Sequence, residues 1–141
     1  MVAMGIVQEL RPKGPDSEKI TINLGHVDLG QIDLLVRDGF YANRTDVIRT
    51  AIRNQLERHA DAIRQSMTRK RLDLGLRHIT RADLEQAQSA GNRLDINVLG
   101  LAVIADDVSP ELAAATIASV TVLGALQASP AVKQALAGRM T

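Results

Sequence analysis

Lys19-Ile20-Thr21-Ile22-Asn23-Leu24 decides the fold. It alternates polar and apolar residues with period two and is rich in β-branched side chains. That pattern predicts one short strand, with Ile20, Ile22 and Leu24 on its buried face and Lys19, Thr21 and Asn23 on the other. A lone six-residue strand leaves its backbone donors and acceptors unpaired and its apolar face uncovered. No second strand is legible nearby. An identical strand from a second copy is the simplest partner, so the expectation is a two-stranded antiparallel ribbon and a homodimer.

Working outward, Asp28 to Asp38 carries Leu29, Ile32, Leu35 and Val36 at helical spacing, and Gly39 sits where a C-terminal stop belongs. Asn43-Arg44-Thr45-Asp46 then offers an N-cap with an acidic residue three positions later. Val47, Ile48, Ala51, Ile52 and Leu56 continue as one apolar stripe, which predicts a long second helix running to about Gln65. Before the strand, residues 1–16 read as a flexible leader, with Arg11, Pro12, Lys13, Gly14 and Pro15 close together.

The strand, the Ile32-Asp33-Leu34-Leu35-Val36 segment and the stretch from Gly39-Phe40-Tyr41 through Asn43-Arg44-Thr45-Asp46 to Thr50-Ala51 together resemble the ribbon-helix-helix superfamily of bacterial DNA-binding proteins, of CopG, MetJ and Arc type. The resemblance covers about a third of the chain. It implies that the paired strands enter the major groove of double-stranded DNA and that outward strand residues read base edges. Here those residues are Lys19, Thr21 and Asn23. Lys can donate to guanine, Asn can pair bidentately with adenine, and Thr can meet a polar edge or a thymine methyl. The resemblance also implies a phosphate contact at the start of the second helix, around Asn43, Arg44 and Thr45, where free amides favour an anion. Arg49 and Arg53, and the basic run Arg69-Lys70-Arg71 between the modules, are further candidates for the DNA backbone. Arg49 and Arg53 can equally be solvated helix cations, and linkers such as the one holding Arg69-Lys70-Arg71 are often basic without a DNA role.

Charge is distributed in keeping with this. The net charge is only +1, yet residues 1–81 hold 14 Lys and Arg against 10 Asp and Glu, and residues 82–141 hold 3 against 6. A basic first module joined to a mildly acidic second one is the expectation.

The texture changes at Met67. Leu74-Gly75-Leu76, Leu99-Gly100-Leu101 and Leu123-Gly124-Ala125 recur at spacings of 25 and 24 residues. Each is followed by a helix start, at Thr80-Arg81-Ala82-Asp83, Ser109-Pro110 and Ser129-Pro130. Ser caps a helix and Pro suits its first turn. The expected helices are Asp83 to Ala90, Pro110 to Ala118 and Pro130 to Ala137. This predicts a strand–turn–helix unit used three times over residues 67–141, a leucine-rich-like, solenoid-like α/β module whose open ends can join like ends. The fold expected for the whole chain is α+β, with the ribbon-helix-helix over residues 17–66.

Other classes find little support. One Phe, one Tyr and no Trp dictate an aliphatic core, and the absence of Cys excludes disulfides and thiolate metal sites and suggests a reducing compartment. No apolar run reaches the ~20 residues that span a bilayer, and the N-terminus lacks a signal-peptide pattern, so a cytoplasmic location is expected. There is no nucleophile elbow, phosphate-cradling glycine loop or His-Glu-x-x-His pattern, so no enzyme is expected. Asp106-Asp107 precedes a helix start, where acidic residues favour the dipole. His26, His59 and His78 are scattered, so neither metal nor cofactor is expected. The leading expectation is a dimeric, sequence-specific DNA-binding regulator with a C-terminal assembly module. An antitoxin of a toxin–antitoxin pair, or a self-assembling scaffold, are the alternatives.

Overall fold

A computed structural model describes residues 17–141, so the leader expected over residues 1–16 lies outside them. The described chain forms two compact units, Glu18–Ser66 and Met67–Thr141.

In the first unit, helix α1 spans His26–Arg37 and helix α2 spans Arg44–Arg58. Gly39, at φ +86°, takes the left-handed conformation that ends α1 at little steric cost. The second helix is shorter than its apolar stripe predicts. At His59 the backbone leaves helical geometry, and the Gln55 carbonyl oxygen, which accepts from His59 N at 3.3 Å, also lies 3.0 Å from the ring Nδ1. A new helix, α3, then runs Ala60–Lys70. Arg69 and Lys70 therefore close a helix rather than lie in an extended linker, and Arg71, at φ +54°, makes the turn that follows.

Residues 18–25 carry no regular secondary structure in the single chain. Ile20 and Ile22 are 72% and 59% exposed, although alternation assigns them to a buried face. The physical reason is the one that alternation itself raises: none of the described residues pairs with this segment as a strand. Val27, Leu34, Phe40, Ile52 and Leu56 are exposed as well, and Val47 is the one buried apolar residue among those described in this unit. A unit of this size with so little buried apolar surface lacks the main term that offsets chain entropy.

The second unit holds the core. Strand β1 (Asp73–Ile79), helix α4 (Arg81–Ser89), strand β2 (Leu94–Ile104), helix α5 (Pro110–Thr116), strand β3 (Ile117–Gln127) and helix α6 (Pro130–Leu136) follow in order, with a short 3-10 turn at Ala137–Arg139. The strands form one parallel sheet in the order β1-β2-β3. Each helix begins at the expected cap. Thr80 and Asp83 form a reciprocal capping box, and the Ser109 and Ser129 side chains accept from Leu112 N and Val132 N. Helix α5 ends at Thr116 rather than Ala118, because β-branched Ile117 already opens β3. Ile79, Ile96, Val98, Ala102, Ile104, Ile117 and Val120 pack with Leu84, Ala113, Val132 and Leu136 of the helices into one aliphatic cluster.

The three Leu-Gly pairs lie side by side. Leu74, Leu99 and Leu123 share one rung, and Gly75, Gly100 and Gly124 share the next. All three glycines have positive φ, +115°, +142° and +119°. A Cβ on Gly100 would collide with the Gly75 carbonyl, and one on Gly124 with the Gly100 carbonyl. The helices cover one face of the sheet. On the opposite face Leu74 and Leu76 are 74% and 62% exposed, which is unusual because parallel sheets commonly bury both faces.

Candidate nucleic-acid interface

Lys19, Thr21 and Asn23 are all exposed, on a segment with no strand partner among the described residues. Asn23 and Arg44 line a depression of about 370 Å³ together with Ile22, Leu24, Leu29 and Ile48. Two polar and four aliphatic side chains thus share a depression between the 19–24 segment and helices α1 and α2.

The start of α2 is built by local hydrogen bonds. Asn43 Oδ1 accepts from Asp46 N at 2.8 Å, and Asp46 Oδ2 accepts from Ala42 N at 3.0 Å. Asn43 thereby satisfies one of the first-turn donors, while the amides of Arg44 and Thr45 stand in the turn where intrahelical acceptors do not exist. Those amides, at the positive end of a 15-residue helix, suit an anion. Replacing Asn43 with Ala is expected to lower the thermal stability by about 1 kcal/mol, checked by a denaturation midpoint.

The Arg44 side chain is committed elsewhere. Its Nε and Nη2 donate to Asp33 Oδ1 and Oδ2, both at 2.8 Å, in a two-pronged pair that ties α2 to α1. Sequence periodicity offers no sign of this contact, since the two residues are 11 apart on different helices; opposite charges on either side of the Gly39 turn are the one available clue. The hydrogen bond from Arg44 chiefly, aided by the charges of Arg44 and Arg37, holds the Asp33 carboxyl below its ordinary value of 3.8. With the folded value below the unfolded one, the pair's contribution is fully present above the ordinary value and is lost as pH falls through the folded value. An NMR titration should therefore find Asp33 ionising below 3.8, and Arg44→Ala should return it toward that value.

Arg49 and Arg53 are exposed on α2, and Arg69, Lys70 and Arg71 are exposed at and beyond the end of α3. Among the described residues, no group of three or more His, Cys, Asp or Glu is placed to hold a metal ion, and no helix is long and apolar enough to cross a membrane.

A family model described as the ribbon-helix-helix transcriptional regulator family matches residues 15–133. The chain belongs to this family. The match begins just before the 19–24 segment and runs through all three strands of the sheet into α6, so the family pattern extends well beyond the third of the chain that carries the resemblance. No curated protein and no solved structure matches the chain. Membership in the ribbon-helix-helix family makes the chain a DNA-binding transcriptional regulator by type.

Proposed function

We propose that this ribbon-helix-helix chain acts as a homodimer in which residues 19–24 of two copies pair as an antiparallel ribbon and read the major groove of double-stranded DNA. The observation that carries this is the pattern of exposure at residues 18–25. Apolar Ile20 and Ile22 stand open to solvent in the single chain, between polar Lys19, Thr21 and Asn23. A second copy covers the first set and leaves the second set outward. Pairing also supplies the buried surface that the Glu18–Ser66 unit lacks alone.

In this arrangement Lys19, Thr21 and Asn23 contact base edges, and the Arg44 and Thr45 amides, held in place by Asn43, grip a phosphate on each side. Arg44 positions the helix through Asp33 rather than contacting DNA with its own guanidinium. Arg49, Arg53, Arg69, Lys70 and Arg71 add long-range attraction to the backbone. The role is one of binding, not catalysis, in the cytoplasm. The three strand–helix units of Met67–Thr141 act as repeats of an assembly module. A folded aliphatic core in this half weighs against an antitoxin, whose toxin-binding tail orders only on its target.

The test is duplex affinity at a series of salt concentrations, combined with sedimentation of the free protein. A dimer whose affinity falls steeply with salt, by about one logarithmic unit per logarithmic unit of salt for each phosphate contacted, supports the proposal. A monomer, or binding indifferent to salt, overturns it.

A further inference from the structure

The two outer edges of the sheet are complementary. Among the described residues, β1 pairs with β2 alone, and none of them pairs with the backbone donors and acceptors of its other edge. Among the described residues, β3 is engaged by the C-terminal segment near its start: Met140 bridges Val120 in parallel, the Val120 carbonyl accepts from Thr141 N at 3.0 Å, the Thr121 and Thr141 hydroxyls lie 2.7 Å apart, and Arg139 Nη1 donates to the Ile117 carbonyl at 2.8 Å. The pairing register locates what a further strand would meet. Asp73 lies beside Val98, and Val98 lies beside Val122. One more step in the same register sets a second β1 against β3 from Val122 onward, beyond the position that Met140 occupies. The part of the β3 edge left open by the described residues is the part a β1 strand needs.

The glycine rung points the same way. Each inner glycine is packed against the carbonyl of the glycine on the preceding strand, so Gly100 faces Gly75 and Gly124 faces Gly100. Gly75 shares their positive φ, yet a Cβ built on it meets nothing within 4 Å. The conformation that receives a neighbouring glycine carbonyl is therefore present at Gly75, and none of the described residues supplies the carbonyl. The Gly124 carbonyl, at the opposite edge, is the matching group. Leu74 and Leu123, both exposed, would extend the leucine rung alongside it.

We infer that β1 of one copy adds in parallel to the outer edge of β3 of a second copy from Val122 onward, with Gly75 beside Gly124, so that chains stack head to tail. The contact is heterologous and leaves a free β1 and a free β3 at the two ends of any stack. This inference rests on the proposed assembly role of Met67–Thr141 and specifies its partner, edge and register. Joined to dimers on DNA, such stacking would couple neighbouring binding sites.

The chain has no cysteine, which makes the test clean. Leu74→Cys and Leu123→Cys each alter an exposed side chain. Full-length chains bearing one or the other, distinguished by tags of different length, are mixed and treated with a short thiol-specific cross-linker. Adjacent strands lie about 4.8 Å apart, so the mixed pair should cross-link at least ~5-fold more than either variant alone. Like-to-like links that equal or exceed the mixed ones, or no mixed link while sedimentation shows species larger than a dimer, overturn the head-to-tail register. Sedimentation that never exceeds the dimer overturns the assembly role itself and with it this inference. In both cases intact salt-dependent DNA binding leaves the DNA-reading proposal standing. Gly75→Ala gives a second readout. Its new Cβ points into open space in the single copy, so it should reduce the protein to dimers while the sheet stays folded. Larger species persisting in a folded Gly75→Ala protein would contradict the inference.

Discussion

Replacing Lys19, Thr21 and Asn23 together with Ala is expected to abolish sequence discrimination while leaving the dimer intact. All three side chains are exposed, so their loss removes no packing. Each well-placed base contact contributes about 1–3 kcal/mol of discrimination, and a dimer presents every contact twice. The loss is bounded by the gap between specific and non-specific binding, about 10³–10⁷ in affinity, so a fall of at least ~10³ on the preferred duplex is the expected result. Binding to arbitrary duplex should weaken far less, because phosphate contacts dominate that affinity and only Lys19 carries charge. The contrasting substitution is Ile22→Asp, which places a carboxylate at the ribbon's covered face. It should separate the copies and eliminate both kinds of binding. Competition titrations and sedimentation measured side by side distinguish the two outcomes. Specific binding that survives the triple substitution would remove these residues from the interface.

The second large effect lies in the sheet. Gly124→Ala should cost the Met67–Thr141 unit far more than a surface Gly→Ala change, because two penalties coincide. The residue sits at φ +119°, where an L side chain is strained by about 1–3 kcal/mol. The added Cβ also collides with the Gly100 carbonyl, which is held in the ladder and cannot swing aside. Forced overpacking of this kind costs about 1–3 kcal/mol more. A domain of this size loses about 4–8 °C of midpoint per kcal/mol, so thermal unfolding should move down by at least ~10 °C. Gly100→Ala should behave alike, since its Cβ would strike the Gly75 carbonyl. Gly75→Ala incurs the backbone strain alone and should fall well short of either. Equal losses at all three positions would show that the stacked carbonyls are not what requires glycine.

Much of this architecture is legible in particular residues. Asn43 and Asp46 mark the start of α2, and Ser109-Pro110 and Ser129-Pro130 mark two of the helices behind the sheet, because caps and first-turn prolines act locally. The recurring Leu-Gly pairs locate all three strands and lie in one register. Features that depend on distant residues are hidden. The strands reach back to Leu94 and Ile117, well upstream of their Leu-Gly pairs, since their length is set by what the helices cover. The break at His59 interrupts no apolar stripe and so leaves no trace in periodicity. The Arg44–Asp33 pair joins two helices across a turn, and it redirects a side chain that charge alone would aim at phosphate. For residues 19–24 the alternation is plain, but the described residues hold no strand partner for the segment, and Ile20 and Ile22 stay exposed.

Selection from a pool of random duplexes is the most direct measurement of the central claim, that two copies pair through residues 19–24 and read DNA together. Full-length protein is equilibrated with the pool at fixed salt, and the retained duplexes are sequenced. A dimer reading through a two-fold ribbon predicts enrichment of two short inverted half-sites at a constant spacing. Retention without any enriched sequence, or enrichment of a single site with no two-fold partner, would contradict it.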